Sequence, residues 1–195
     1  VLCTTADEAA RQAKKIGFPV VLKVASADIV HKSDIGGVLL GLKSEDEVIR
    51  GYATVMERSQ AAKPDARIDG VHIQRMQPAG QEVITGMVRD PMFGSLMMFG
   101  SGGAEVEGLK DVAFALAPLT PAEAEKMIDA TWAGRKLNGF RSIPVADRLA
   151  VIDTLVRLSR LADENPEITE MEINPLRVLA PGEGAYAVDV RIRKT

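Results

Sequence analysis

Five residues constrain this chain more than any other stretch: VVLKV at positions 20–24, a β-branched apolar run with one lysine inside it. Bounded by Gly17 and Pro19 on one side and an aperiodic segment on the other, it reads as a buried strand, because it is too short for a helix. A buried strand demands a sheet with at least one covered face, and so a layered fold. It also demands an account of Lys23, since lysine is almost never fully buried without a partner. Two readings of Lys23 stand side by side. It is either a point charge held for an anion, or an edge-strand lysine whose stem lies along the sheet while its ammonium reaches water.

The segments around this strand alternate between helical and strand periods. Residues 7–16 place Ala9, Ala10, Ala13 and Ile16 at helical spacing, with Gly17 as the stop. Residues 25–37 keep no period and close on Gly36 and Gly37, after which 38–42 resumes a strand. Ser44 followed by Glu45, Asp46 and Glu47 signals a helix start, and Val48, Tyr52, Val55 and Met56 continue its apolar stripe. Val71, Ile73 and Arg75 then alternate with His72, Gln74 and Met76 as a strand that stops before Pro78 and Gly80. Strands at 82–89 and 96–99 flank a turn at 90–94, and 100–103 is a second glycine-rich loop. Thr120, Pro121 and Glu123 mark a helix that runs toward Thr131, and 147–162 carries a wide apolar helical face. The tail reads as strands at 168–173, 176–179 and 186–192 around Pro175 and a turn at 181–184. The expected fold is α+β, with two small subdomains at 1–73 and 74–195 and a ligand cleft between them.

Composition narrows the partners. With 24 Lys plus Arg against 27 Asp plus Glu, the net charge is -3, which favours neither a nucleic-acid backbone nor an anionic membrane. No apolar run approaches the roughly 18 residues of a membrane span, and no basic-then-apolar leader opens the chain. The sole cysteine, Cys3, excludes an internal disulfide and a cysteine-based zinc site, so a reducing, cytoplasmic setting is the easier fit. The chain has no initiator Met and runs directly into an amphipathic segment, which reads as a fragment of a longer protein.

Neither GxxxxGK followed by Ser or Thr, nor GxGxxG after a strand, occurs, so any phosphate must be held by another device. Lys23 can supply charge, and a turn at Gly36 and Gly37 can bring backbone N–H groups close to an anion, although the pair is also what an ordinary hairpin turn uses. His31 lies in the same loop beside Lys32 and Asp34, where a carboxylate can orient one ring nitrogen and leave the other nucleophilic. A solvated loop histidine is the plainer reading. His72, on the polar side of its strand, reads as surface. Glu172 and Asn174 share one strand face, and Asp189 on the following strand can come alongside. Such hard oxygen donors suit Mg²⁺, which takes one or two protein ligands and keeps water and phosphate oxygens; solvent-facing polar positions on a hairpin are the alternative. Gln74, Arg75 and Met76, followed by Glu82, read as a linker between the layers whose backbone can meet a base. Gly102 and Gly103 with Glu105 and Glu107 either line the cleft or form a bend before a turn at Glu107 and Gly108.

Taken in order, the segments GFPVVLKV, HKSDIGGV, QRMQPAGQE, RDPMFGSLMMFGSGGAEVEG, EINPL and AVDVRI resemble the ATP-grasp domain of the nucleoside-diphosphate-forming acyl-CoA synthetases, relatives of the succinyl-CoA synthetase β subunit. The resemblance covers nearly the whole chain. It implies that Lys23, Gly36 and Gly37 hold ATP phosphates, that Gln74, Arg75 and Met76 hold the adenine, and that Glu82 lies at the pocket's edge. It further implies Mg²⁺ on Asn174 and Asp189 with support from Glu172, and His31 as carrier of phosphate between ATP and a second histidine on a partner domain. The implied reaction is acid, CoA and ATP in exchange for acyl-CoA, ADP and phosphate, with the CoA-binding and ligase domains elsewhere in a longer chain or on a partner subunit. The resemblance also places the family domain's start about a helix and a half earlier. The alternative it leaves open is a regulatory module of the kind carried by protein lysine acetyltransferases; a scaffold that has lost nucleotide binding is a third, opposed by the retention of Lys23, Glu172, Asn174 and Asp189.

Overall fold

The computed structural model describes residues 1–29, 31–102 and 111–195. These form two compact units, Val1–Met76 and Gln77–Thr195. Gly103, Glu105, Glu107 and Gly108 lie outside the described residues, and so does the reading given to them.

The first unit is a four-stranded antiparallel sheet with two helices on one face. Its elements are β1 (Leu2–Cys3), α1 (Ala6–Ile16), β2 (Val20–Ala25), β3 (Val38–Leu42), α2 (Glu45–Ala62) and β4 (Gly70–Arg75). The strand order is β1-β4-β2-β3, so β2 has a neighbour on each side. Both helices start on sequence-encoded caps: the Thr5 hydroxyl accepts from the Glu8 amide and the Ser44 hydroxyl from the Glu47 amide, each at 3.2 Å. Gly17, at φ 88, ends α1. Val20, Leu22 and Val24 of β2 are fully buried with Val71 and Ile73 of β4 against Ala9, Ala13, Val48 and Val55 of the helices. Each such aliphatic side chain stabilises the fold by about 1.5–3 kcal/mol relative to exposure.

The second unit has its strands in the order β10-β8-β5-β6-β7, with β9 also paired to β8. The strands are β5 (Gln81–Asp90), β6 (Gly94–Ser101), β7 (Val112–Leu116), β8 (Ile168–Val178), β9 (Ala185–Ala187) and β10 (Val190–Lys194), and the helices are α3 (Pro121–Asp129), α4 (Trp132–Lys136) and α5 (Arg148–Glu164). The β5–β6 hairpin is closed by the Asp90 carboxylate, which accepts from the Met92 and Phe93 amides at 2.8 and 2.9 Å. Thr120 and Glu123 form the reciprocal cap expected for α3. Val83, Met87, Met97, Phe99, Met171 and Ile173 of the sheet form one core with Ile128, Leu137, Val151 and Leu155 of the helical layer. Arg89 ties the far end of α5 to the start of β8: it donates to the carbonyls of Ala162 at 2.5 Å and Asn165 at 3.2 Å, at the helix end where carbonyls lack a helical partner, and to that of Ile168 at 3.0 Å.

The α+β reading holds, and several boundaries move. The segment at 168–178 is one strand instead of two, because Pro175 sits in a bulge: Val83 faces Leu176 but Thr85 faces Ile173, leaving one extra residue on β8. The segment at 186–192 is two strands, β9 and β10, instead of one. Gln74 and Arg75 belong to β4, paired with Val21 and Val20, so they are strand residues and not linker. Helix α4 and strands β1 and β7 have no counterpart in the expectation. None of the described helices is long and apolar enough to cross a membrane.

Candidate functional site

In each unit the helices cover one face of the sheet, and Lys23, Gln74, Glu82, Glu172 and Asn174 lie on the other by strand alternation. In the first unit the alternation of β2 puts Lys23 opposite to Leu22 and Val24, on the helix-free face. Lys23 is only 9% exposed and faces Val38 of β3 and His72 of β4 across the sheet. The edge-strand reading is therefore wrong: β2 is interior, and Lys23 is buried as a residue. His72 is also not a plain surface residue. It is half-buried, between Leu2 of β1 and Lys23 of β2, and Gln74 follows it on the same face. The amide of Met76 donates to the Pro19 carbonyl at 3.0 Å, which ties the end of β4 to the start of β2.

The loop between β2 and β3 is held from within. Ile29 and Ile35 are anchored in the core of this unit, while His31 and Asp34 are exposed. No hydrogen bond links Asp34 to His31 among the described residues, so the carboxylate does not orient the ring. The Gly36 amide donates to the Ser33 carbonyl at 3.1 Å and the Gly37 amide to the Lys32 carbonyl at 2.8 Å, while the Gly37 carbonyl accepts from the Val24 amide at 2.8 Å. Both glycine amides are thus committed inside the loop. What demands glycine here is packing and conformation: a Cβ on Gly37 would come 2.8 Å from the Val24 side chain and 2.9 Å from the Lys32 carbonyl, and Gly36 has φ +68.

In the second unit, β8 carries Glu172 and Asn174 on the helix-free face, between the buried Met171, Ile173 and Leu176. Glu172 pairs with Gly86 of β5 and Arg191 of β10. A Cβ on Gly86 would collide with the Met171 carbonyl, so the face beside Glu172 is kept bare of side chains. The Asn174 amide donates to the Asp189 carbonyl at 3.1 Å, which brings Asn174 and Asp189 directly opposite each other at the mouth of the bulge. All three residues are half-buried. Two carboxylates and an amide oxygen are the kind of donors that Mg²⁺ accepts when phosphate oxygens and water complete its shell. Among the described residues no cluster of three His, Cys, Asp or Glu could hold a metal by protein groups alone. Glu82, on the same face, is engaged: Arg177 pairs with it at 2.5 Å from the facing position of β8.

Two carboxylates, Asp147 buried and Asp111 half-buried, brace this unit. Burial alone would raise the Asp147 pKa, but amide donors from Gly184, Ala150 and Gly182 outweigh it and hold the carboxyl below the usual range. Asp147 thereby fastens the 181–184 turn to the start of α5. At Asp111, burial is likewise overridden, by the amides of Trp132 and Ala133 at 2.6 and 2.7 Å and by the Ser101 hydroxyl at 2.9 Å. Sequence reasoning missed Arg177, Asp111 and the placement of His72. The first two act on partners distant in sequence; His72 had one local signal, its even-numbered position in the same strand as Gln74.

Residues 1–193 match a protein family described as ATP-grasp domain. The chain is 45% identical over 186 residues to the acetate–CoA ligase [ADP-forming] I subunit beta of Pyrococcus furiosus, covering 95% of this chain and 79% of that one. It is 46% identical over 182 residues to the longer acetate–CoA ligase [ADP-forming] I of Archaeoglobus fulgidus, covering 93% of this chain but 26% of that protein, about a quarter of its length. Among solved structures it is similar to an acetyl-coenzyme A synthetase 1 of Ca. Korarchaeum cryptofilum in complex with coenzyme A, Ca-AMPCP and HgCl+, with a TM-score of 0.94, 42% identity, and coverage of 100% of this chain and 84% of that one. That synthetase has also been solved with coenzyme A and Mg-AMPPCP, its phosphohistidine segment pointing towards the nucleotide binding site.

Proposed function

Since the chain belongs to the ATP-grasp domain family of the ADP-forming acyl-CoA synthetases, we propose that it binds ADP or ATP with Mg²⁺ and passes phosphate for the ligation of an acid to CoA. The observation that carries this reading is Lys23, a lysine with 9% exposure at the centre of a sheet, on the face that the helices leave open. A lysine on that face offers a fixed positive charge to an anionic ligand. In this reading phosphate oxygens meet that charge and the adenine rests against the Gln74, Arg75 and Met76 end of β4; Glu82, in the second unit, is paired with Arg177.

Asn174 and Asp189 are the Mg²⁺ ligands in this reading, with Glu172 supporting them from the same face; the ion, when bound, supplies charge neutralisation at the phosphates. Gly36 and Gly37 contribute differently from a phosphate cradle. Their amides close the loop, so they shape the segment that presents His31. His31 is exposed and takes the phosphoryl group: its ring nitrogen's lone pair forms the P–N bond as the P–O bond to ADP breaks, and ADP leaves with that electron pair. The acceptor histidine and the CoA-binding domains belong to the longer protein or to a partner subunit. The lone, buried Cys3 suits a cytoplasmic setting. The relatives above are named as ligases, and no observation favours the regulatory reading over them.

Two measurements test this. Calorimetry of the 195-residue chain with Mg-ADP should give saturable binding, and none at millimolar nucleotide would sink the proposal. Full-length protein given γ-labelled ATP should acquire acid-labile, base-stable label that His31→Ala abolishes once any second carrier histidine is silenced; label that persists removes His31 from the relay.

A further inference from the structure

We infer that the outer edge of β7 is a homodimer surface, at which two copies of this chain pair their β7 strands antiparallel across a two-fold axis centred on Phe114. The two edges of the second sheet are built differently. β10 carries Arg191, Arg193 and Lys194, and charged side chains keep an edge from accepting another strand. β7, at the opposite edge, reads VAFAL and carries no charge. The apolar edge of the first sheet, β3, is interrupted by a register shift between Leu39 and Leu42, where Gly41 has φ +72. β7 pairs with β6 without a break.

Register decides which groups of β7 face outward. The Ala117 amide donates to the Ser95 carbonyl at 2.8 Å and the Ser101 amide to the Asp111 carbonyl at 3.2 Å, so the odd-numbered positions form the bonded pairs with β6. Bonded pairs alternate in an antiparallel ladder. The amides and carbonyls of Val112, Phe114 and Leu116 therefore turn away from β6, where β7 has no further neighbour among the described residues. The side chains of the same residues are exposed on the helix-free face, Phe114 by 54%, while Ala113 and Ala115 pack against the core.

About Phe114 the strand is its own complement: Val112 falls opposite Leu116, Ala113 opposite Ala115, and Phe114 opposite itself. The outward groups then form about six hydrogen bonds, two for each bonded pair. Apolar side chains meet apolar ones across the new ladder, and no charge meets a like charge. A patch that matches itself under a two-fold rotation is what an isologous dimer requires, and a second copy supplies that match without any other partner. One strand pair buries less than the roughly 1,200 Å² of a standard interface, so this dimer forms and dissociates with concentration.

Sedimentation equilibrium of the 195-residue chain should show the mass rising from one copy toward two between micromolar and millimolar concentration. Over the same range the amides of Val112, Phe114 and Leu116 should come to exchange with solvent several-fold more slowly, while those of Ala113 and Ala115, bonded to β6 in both states, change little. Phe114→Lys sets two ammonium groups opposite each other without touching the core, and should hold the chain monomeric throughout. Leu149→Lys, at an exposed apolar position on α5, should leave the dimer unchanged. A wild-type chain that stays monomeric into the millimolar range leaves this edge to some other protein and overturns the inference. A dimer that survives Phe114→Lys, or whose three outward amides exchange equally fast at both concentrations, uses another surface and overturns it as well.

Discussion

The two sheets present opposite charges from opposite kinds of setting. In the first unit the charged group is Lys23, buried and locked between two hydrogen-bonded neighbours in an interior strand. In the second the groups are Glu172, Asn174 and Asp189, half-buried beside a bulge, where the ladder is already irregular. A rigid interior position holds one cation at a fixed point, as phosphate binding asks. A metal that keeps several waters needs only a few oxygens with room around them, and a bulge provides that. On the proposed reading, phosphate affinity belongs to the first sheet and metal dependence to the second.

Lys23→Met tests the first half with the largest expected effect. It keeps the stem and removes the charge, and should weaken ADP by about 10- to 100-fold, the factor equivalent to 1.5–3 kcal/mol for a charge-assisted hydrogen bond. That loss should appear in calorimetry with and without Mg²⁺. Asp189→Asn should instead raise the Mg²⁺ concentration giving half-maximal ADP binding by roughly 10-fold, in line with the effect of disturbing a metal's ligand set, and leave metal-free binding unchanged. If both variants lose affinity equally with and without metal, the division between the sheets fails.

Gly37→Ala separates packing from ligand contact. Inserting a methyl between Val24 and the Lys32 carbonyl should cost about 1–3 kcal/mol of stability, measured by denaturant unfolding. An Ala variant with unchanged stability but lost ADP affinity would restore the phosphate-cradle role that the committed amides argue against. The smallest effect is the pH dependence of the second unit. The pKa values of Asp111 and Asp147 are lowered in the fold, so their contribution is complete above the unfolded carboxylate value of about 3.9 and is lost as pH falls through the lower folded values. Thermal midpoints should thus decline in acid below that value, and Asp147→Asn should flatten part of the decline while lowering stability at neutral pH.

What could be read from the sequence was what is encoded locally. Ser44, Thr120 and Asp147 cap their helices with amides three residues on, and the apolar period of β2 needed no other segment to be seen. What escaped depends on pairing. Nothing near Lys23 says that strands will flank it on both sides, and nothing near Glu82 points to Arg177, 95 residues away. Helix α4 has only 5 residues, too few for a period to appear. The glycine pair shows a subtler limit: the residue type reports freedom of the backbone, but not that the Gly36 and Gly37 amides will bond the Ser33 and Lys32 carbonyls.

The bulge at Asn174 and Pro175 has a consequence for how this surface can vary. Before it, odd-numbered Met171 and Ile173 point into the core; after it, even-numbered Leu176 and Val178 do. From Met171 onward the strand is thus two reading frames spliced at one residue, and removing that residue would turn the part after it inside out. Side chains at 174 and 175 can vary without touching either frame, which separates the surface at the splice from the packing on both sides of it.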